Sequence, residues 1–315
     1  MGSGLFGKFN KLLIEDNSSQ FGSFIQSILN EYDFVFEELL SQRCYETKDD
    51  NYSRYFDIND SLNYSREFLY CLDCSLGERF DCLSRAIVDG KPIYTFKPIN
   101  ESYDKENNFV DGFINIAYEN TARDARSIVH ETFHLFNYST IDLDGKRIIN
   151  LTNRIFTELV SILAEKLYIA FAYSKGYLND NEAALLLNDR IDNTLLSIYI
   201  TKCEQQYLEL SKKGIYINPY VIEQVMKQYK GVPYYEDFWK AEYETNDVIT
   251  NAVMRGSLTY PINTGYILGE YYSNFILDNG YNAKEILIEL NEIISNPNVR
   301  YNDVTEKCLE KRMKH

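Results

Sequence analysis

His130-Glu131-Thr132-Phe133-His134 constrains this chain more than any other stretch. The chain has 3 histidines, and two of them stand at this spacing. Residues four apart on a helix share a face, so both imidazoles can reach one metal ion. Glu131 follows the first histidine, where a carboxylate can hold a water at that ion and take its proton. The fold therefore has to bring a further ligand against one face of this helix and leave one position open.

The histidine count decides what that ligand is. His315 is the last residue and far from the motif, and Asn137 stands three residues after His134, so the HExxHxxGxxH pattern is absent. A carboxylate on a later helix is expected instead. Glu158 is the leading choice, 24 residues after His134. That separation lets one helix end, a hairpin turn and a second helix return. Glu158, Ser161 and Glu165 fall at i, i+3 and i+7 on one helix face. Glu158 would bind the ion, while Ser161 and Glu165 would hold the ligands in place. Glu165 is the next choice as ligand. Asp142 and Asp144 also compete, but they sit in a predicted hairpin, where a solvated turn is the ordinary reading.

Most of the chain reads as helix. Apolar residues recur at three- and four-residue spacing near 4–15, 20–42 and 62–87. The polar run 46–60 reads as a loop. Strand composition follows in 91–98 and 109–118, joined by the polar run 99–108. Thr121-Ala-Arg-Asp124 resembles a capping box and opens the motif helix, which should reach about Tyr138. Asp144-Gly145 predicts a hairpin within 141–149. Further helices are expected over 153–175, ending near Gly176, and over 180–213, ending at Gly214. Asn218-Pro219 opens another. Helices near 236–253, 263–279, 283–295 and 303–313 complete the pattern. The expectation is one mainly α domain over 1–315. A helical part covers 1–90, and a catalytic core over 91–315 carries a small β-sheet beside the motif helix.

Composition excludes several functions. The net charge is −15 with no dense Lys/Arg run, which argues against a nucleic-acid binder. No apolar run approaches the length of a membrane span, and the start lacks the apolar core of a signal peptide. With 6 cysteines, this predicts a cytoplasmic protein with reduced thiols. Cys71, Cys74 and Cys82 lie among apolar residues in a helical segment, so buried thiols are expected rather than a zinc or redox site.

Three blocks, in order, resemble the oligoendopeptidase F and thimet oligopeptidase family of zinc metallopeptidases. The first is 113–131, an apolar strand followed by Asn-Thr, Asp124 and the His-Glu pair. The second is Glu158-Leu-Val-Ser161-Ile-Leu-Ala-Glu165, similar to that family's third-ligand helix. The third is Thr259-Tyr-Pro-Ile-Asn-Thr-Gly-Tyr-Ile-Leu-Gly269, which is also similar to a stretch of the Taq-type carboxypeptidases. Phe133 and Asn137 stand where the family usually has Gly and often His, and the chain is about half the family's length. The resemblance implies a helical metallopeptidase domain with one zinc per chain on His130, His134 and Glu158. Glu131 would be the base, with Asp124, Ser161 and Glu165 supporting the site. Tyr260 or Tyr266 would stabilise the oxyanion, with Tyr271 and Tyr272 behind them. The substrate would be an extended peptide, which the strand 112–118 could take up by backbone pairing. Two other readings remain open: a dedicated, effector- or toxin-like protease cutting one folded protein, and a non-catalytic zinc-binding interaction protein on the same scaffold.

Overall fold

A computed structural model of the chain describes residues 55–99, 108–110, 112–138, 151–228 and 260–296, with positions 7, 8, 10, 11, 39 and 304. The protein is mainly helical with two small sheets. It divides into two compact units. The larger comprises Arg43–Asp192 and Leu268–His315, and the smaller Met1–Gln42 and Asn193–Ile267. No helix among the described residues is long and apolar enough to cross a membrane.

The larger unit opens with α1 (Ile58–Leu72) and α2 (Cys74–Leu83). The residues over 62–87 were expected to form one helix, and Asp73 breaks them into two. Its backbone is extended (φ −160°), it ends α1, and its side chain accepts from the Ser75 backbone N–H at 2.8 Å to start α2. Leu72, Leu76 and Phe80 keep facing the core across the break. That turns Cys71, Cys74 and Cys82 outward, and all three are exposed, contrary to the buried thiols expected. The helix also stops before residue 87. Ile87–Val88 (β1) and Lys91–Pro92 (β2) form a short antiparallel hairpin. Asp89 and Gly90 both have positive φ, as its two-residue turn requires. The loop expected over 46–60 likewise gives way at its end, where Asp57 caps α1.

A three-stranded sheet follows, in the order β3 (Tyr94–Pro98), β5 (Phe113–Tyr118), β4 (Asn108–Val110). The single strand expected over 109–118 turns at Gly112, whose φ is +86°. β5 pairs in parallel with β3 and antiparallel with β4. Among the described residues, β3 covers one edge of β5 along its whole length and β4 covers the other over 113–115, so no free edge is available for substrate pairing over 113–115.

From β5 the chain enters α3 (Ala122–Tyr138), the motif helix. Asp124 accepts from the backbone N–H groups of Glu119 and Thr121 at 3.0 and 3.1 Å, and Thr121 Oγ1 accepts from Arg123 N at 3.3 Å. The expected cap therefore fixes the angle at which the strand feeds the helix. α3 lies against β5, β4, α1, α8 (Ala283–Ile294) and above all α4 (Leu151–Ser174). Ile128, Val129, Phe133 and Phe136 from α3 are fully buried, as are Phe156, Leu159, Val160, Ile162 and Leu163 from α4. Phe133 packs edge-on against Phe136 with ring centroids 5.6 Å apart, so the bulky residue inside the motif belongs to the core.

α4 ends as expected, with Gly176 at φ +71° and the Tyr177 N–H donating to Ala172 O at 2.9 Å. α5 (Asp180–Lys212) and α7 (Tyr260–Asp278) each contribute a part to each unit. In the smaller unit, α6 (Pro219–Gln228) starts where expected, with Asn218 Oδ1 accepting from Val221 N at 3.1 Å. Asn10 there clamps Ile217, donating to its carbonyl and accepting from its N–H, both at 2.8 Å. The helix expected over 236–253, the hairpin 141–149, and nearly all of 4–15, 20–42 and 303–313 lie outside the described residues.

Candidate metal centre

α3 sets His130 and His134 on one face, with their Nε2 atoms 2.9 Å apart. α4 brings Glu158 opposite them. Its Oε2 lies 3.4 Å from His130 Nε2 and its Oε1 3.5 Å from His134 Nε2. Ligand atoms from these three residues all lie within 4.8 Å of one another. A tetrahedral ion with bonds of about 2.0–2.1 Å separates its ligand atoms by roughly 3.3 Å, so the group is sized for one small cation. Glu158 Oε2 is also buried without a hydrogen-bond partner, and a cation would satisfy it. This buried group could hold a metal ion.

The far side of each imidazole is tied. His130 Nδ1 lies 2.5 Å from Glu165 Oε1, and His134 Nδ1 lies 3.3 Å from Ser161 Oγ. With Nδ1 turned to α4 side chains, each ring presents Nε2 to Glu158. The expected i, i+3, i+7 face of Glu158, Ser161 and Glu165 is thus brought to the two histidines.

α7 fixes how close α4 can come. Gly269 packs on the Glu158 turn, where an added Cβ would lie 3.2 Å from Glu158 O and from Leu159 Cα, and 2.6 Å from Ile162 Cδ1. Two of those neighbours are backbone and cannot rotate away. Gly269→Ala is therefore expected to destabilise the protein by about 1–3 kcal/mol, read as a lower urea midpoint at unchanged slope.

The charges are strongly coupled. Burial opposes the charge on His130, but the Glu165 carboxylate bonded to its ring and the nearby Glu158 carboxylate outweigh it and push its pKa up to about 10. Burial likewise opposes ionisation of Glu158, yet His134 and His130 hold it well below the usual carboxylate range. Glu165 is held down to about 2 by Arg190, His130 and Arg126 against its own burial. Burial raises Glu131, which is itself buried on α3.

Carboxylates that draw a proton onto His130 also draw a dication, and the two compete for one nitrogen. Because the raised pKa leaves His130 protonated at neutral pH, binding a probe ion such as Zn²⁺ should release that proton. Apparent Zn²⁺ affinity is then expected to rise with pH between about pH 6 and pH 8, roughly tenfold per unit per proton released. Chelator competition across that range checks it.

Other site residues were expected as well. Asp124 serves the start of α3. Tyr260 and Tyr266 lie on the 260–267 stretch of α7, in the smaller unit. The side chain of Tyr260 is outside the described residues, and Tyr266 is half-buried. Tyr271 and Tyr272 stand edge-on to each other, 5.4 Å between centroids. Asp142 and Asp144 are outside the described residues.

Sequence reasoning missed a layer of buried charge behind the histidines. Arg126 and Arg190 both reach Glu165, and Lys166 donates to Glu270 at 2.6 Å and to Asn274. Arg126, His130 and His134 stand at i, i+4 and i+8, a spacing that could have placed the arginine on the ligand face. Thr132 was also missed: it shares a 2.8 Å hydrogen bond with the Tyr94 hydroxyl, joining β3 to the motif helix.

The chain matches no family model, no curated protein and no solved structure.

Proposed function

We propose that this protein is a zinc-dependent peptidase that hydrolyses peptide bonds in an extended substrate. The observation that carries the reading is the buried cluster of two imidazoles and one carboxylate, with Glu131 on the same helical turn. Two histidines and a glutamate form a donor set that suits zinc and leaves a fourth position open. Zinc bound there would polarise the substrate carbonyl and lower the pKa of water.

The chain's own residues do the rest. His130 and His134 present Nε2 to the ion while Glu165 and Ser161 hold their other nitrogens. Glu158 adds the third ligand and its negative charge. Glu131 takes a proton from the attacking water and passes it to the leaving amine, giving a free carboxylate and an amine. The oxyanion role that the resemblance gives to Tyr260 or Tyr266 belongs to this proposal too.

Purified protein assayed on a library of fluorogenic peptides should show turnover that a chelator suppresses and added zinc restores. A zinc-loaded protein that cleaves neither the peptides nor intact test proteins would sink the reading. Cleavage of intact proteins alone would move it to a dedicated protease.

A further inference from the structure

Glu165 is held more firmly than a single contact with a histidine requires. Its Oε1 receives His130 Nδ1 at 2.5 Å and Arg190 Nη1 at 3.1 Å. Its Oε2 faces Arg126 Nε at 3.6 Å. The side chains are buried, and they come from three helices: α3, α4 and α5. Arg190 also approaches Glu270 Oε2 on α7 at 3.7 Å, and Glu270 is paired to Lys166.

Packing alone does not account for this. Well-packed apolar side chains of similar volume usually serve stability as well as a buried ion pair does. What the ions add is direction. A glutamate held only by a ring nitrogen can swing about its side-chain bonds, whereas one with cations on both oxygens cannot.

We propose that Arg190 is a positioning residue of the metal centre. It pins Glu165 Oε1 against His130 Nδ1, which keeps the proton on Nδ1 and the lone pair of Nε2 directed at the ion. Arg190 shares the oxygen that meets the imidazole. Arg126 has other duties: its Nη1 donates to Leu186 O at 3.2 Å and lies 3.7 Å from Asp189, which joins α3 to α5. The inference rests on reading His130, His134 and Glu158 as metal ligands, and not on peptidase activity.

The test measures Zn²⁺ affinity by chelator competition, and the visible absorption of the Co²⁺-loaded full chain, in wild type, Arg190→Gln, Arg190→Lys and Lys166→Met. Arg190→Gln should weaken Zn²⁺ binding by about 10–100-fold and shift the Co²⁺ bands. Arg190→Lys keeps the charge but loses the planar fork, and should fall between that variant and wild type. Lys166→Met disturbs the same buried network without touching Glu165, so it should lower stability and leave affinity and spectrum unchanged. Wild-type affinity and spectrum in Arg190→Gln would overturn the proposal, as would equal losses in Lys166→Met. If Arg190→Gln does not fold, wild-type behaviour of Arg190→Lys overturns it. A wild-type chain that binds neither ion would instead remove the metal reading beneath it.

Discussion

Glu131→Gln is expected to lower peptide turnover by a factor on the order of 10²–10⁴ while leaving about one zinc per chain. Glutamine keeps the shape of the side chain and removes its ability to accept a proton. Glu131 is buried, and burial raises its carboxyl pKa above the ordinary value, which makes it a stronger proton acceptor. The group that could hold the ion is His130, His134 and Glu158, so the substitution should spare it. It also removes a buried negative charge, which gives no reason for the fold to weaken. Loss of turnover with zinc and thermal midpoint retained would therefore report on proton transfer. Unchanged turnover in the zinc-loaded variant would remove Glu131 as the base.

The parts of the site that local rules govern were legible in the sequence. Four-residue spacing put His130 and His134 on one face, and the same period carried Glu158, Ser161 and Glu165 to them. The ends of α4 and α5 could be read from Gly176 and Gly214, and the starts of α3 and α6 from Asp124 and Asn218-Pro219, because capping is decided within a few residues. The break at Asp73 was not legible, since Leu72, Leu76 and Phe80 continue at helical spacing straight through it. The two partners of β5 and the cations around Glu165 depend on residues distant in sequence. Arg126 and Arg190 are buried only because α3 and α5 both meet the Glu165 carboxylate, and no local pattern states that. The helix read from the spacing of Glu158, Ser161 and Glu165 is the one that meets the histidines, while Phe133 inside the motif fills the core because α3 packs on α4.

Glu158→Ala should take zinc from about one per chain to near zero, and any activity that depends on the ion with it. Removing a group that only orients a ligand costs about 10–100-fold in affinity, and removing a ligand should cost more. Among the described residues, Glu158 is the carboxylate that reaches both Nε2 atoms. Glu165 cannot replace it, because it stands at the opposite nitrogen of His130 with arginines on both oxygens. Glu158→Gln separates charge from shape: it keeps the size of the side chain and lacks only the anion. Zinc content by metal analysis should therefore fall in both variants while helix content holds. Retention of zinc in both would move the third ligand to another carboxylate, with Asp142 and Asp144 the next to substitute.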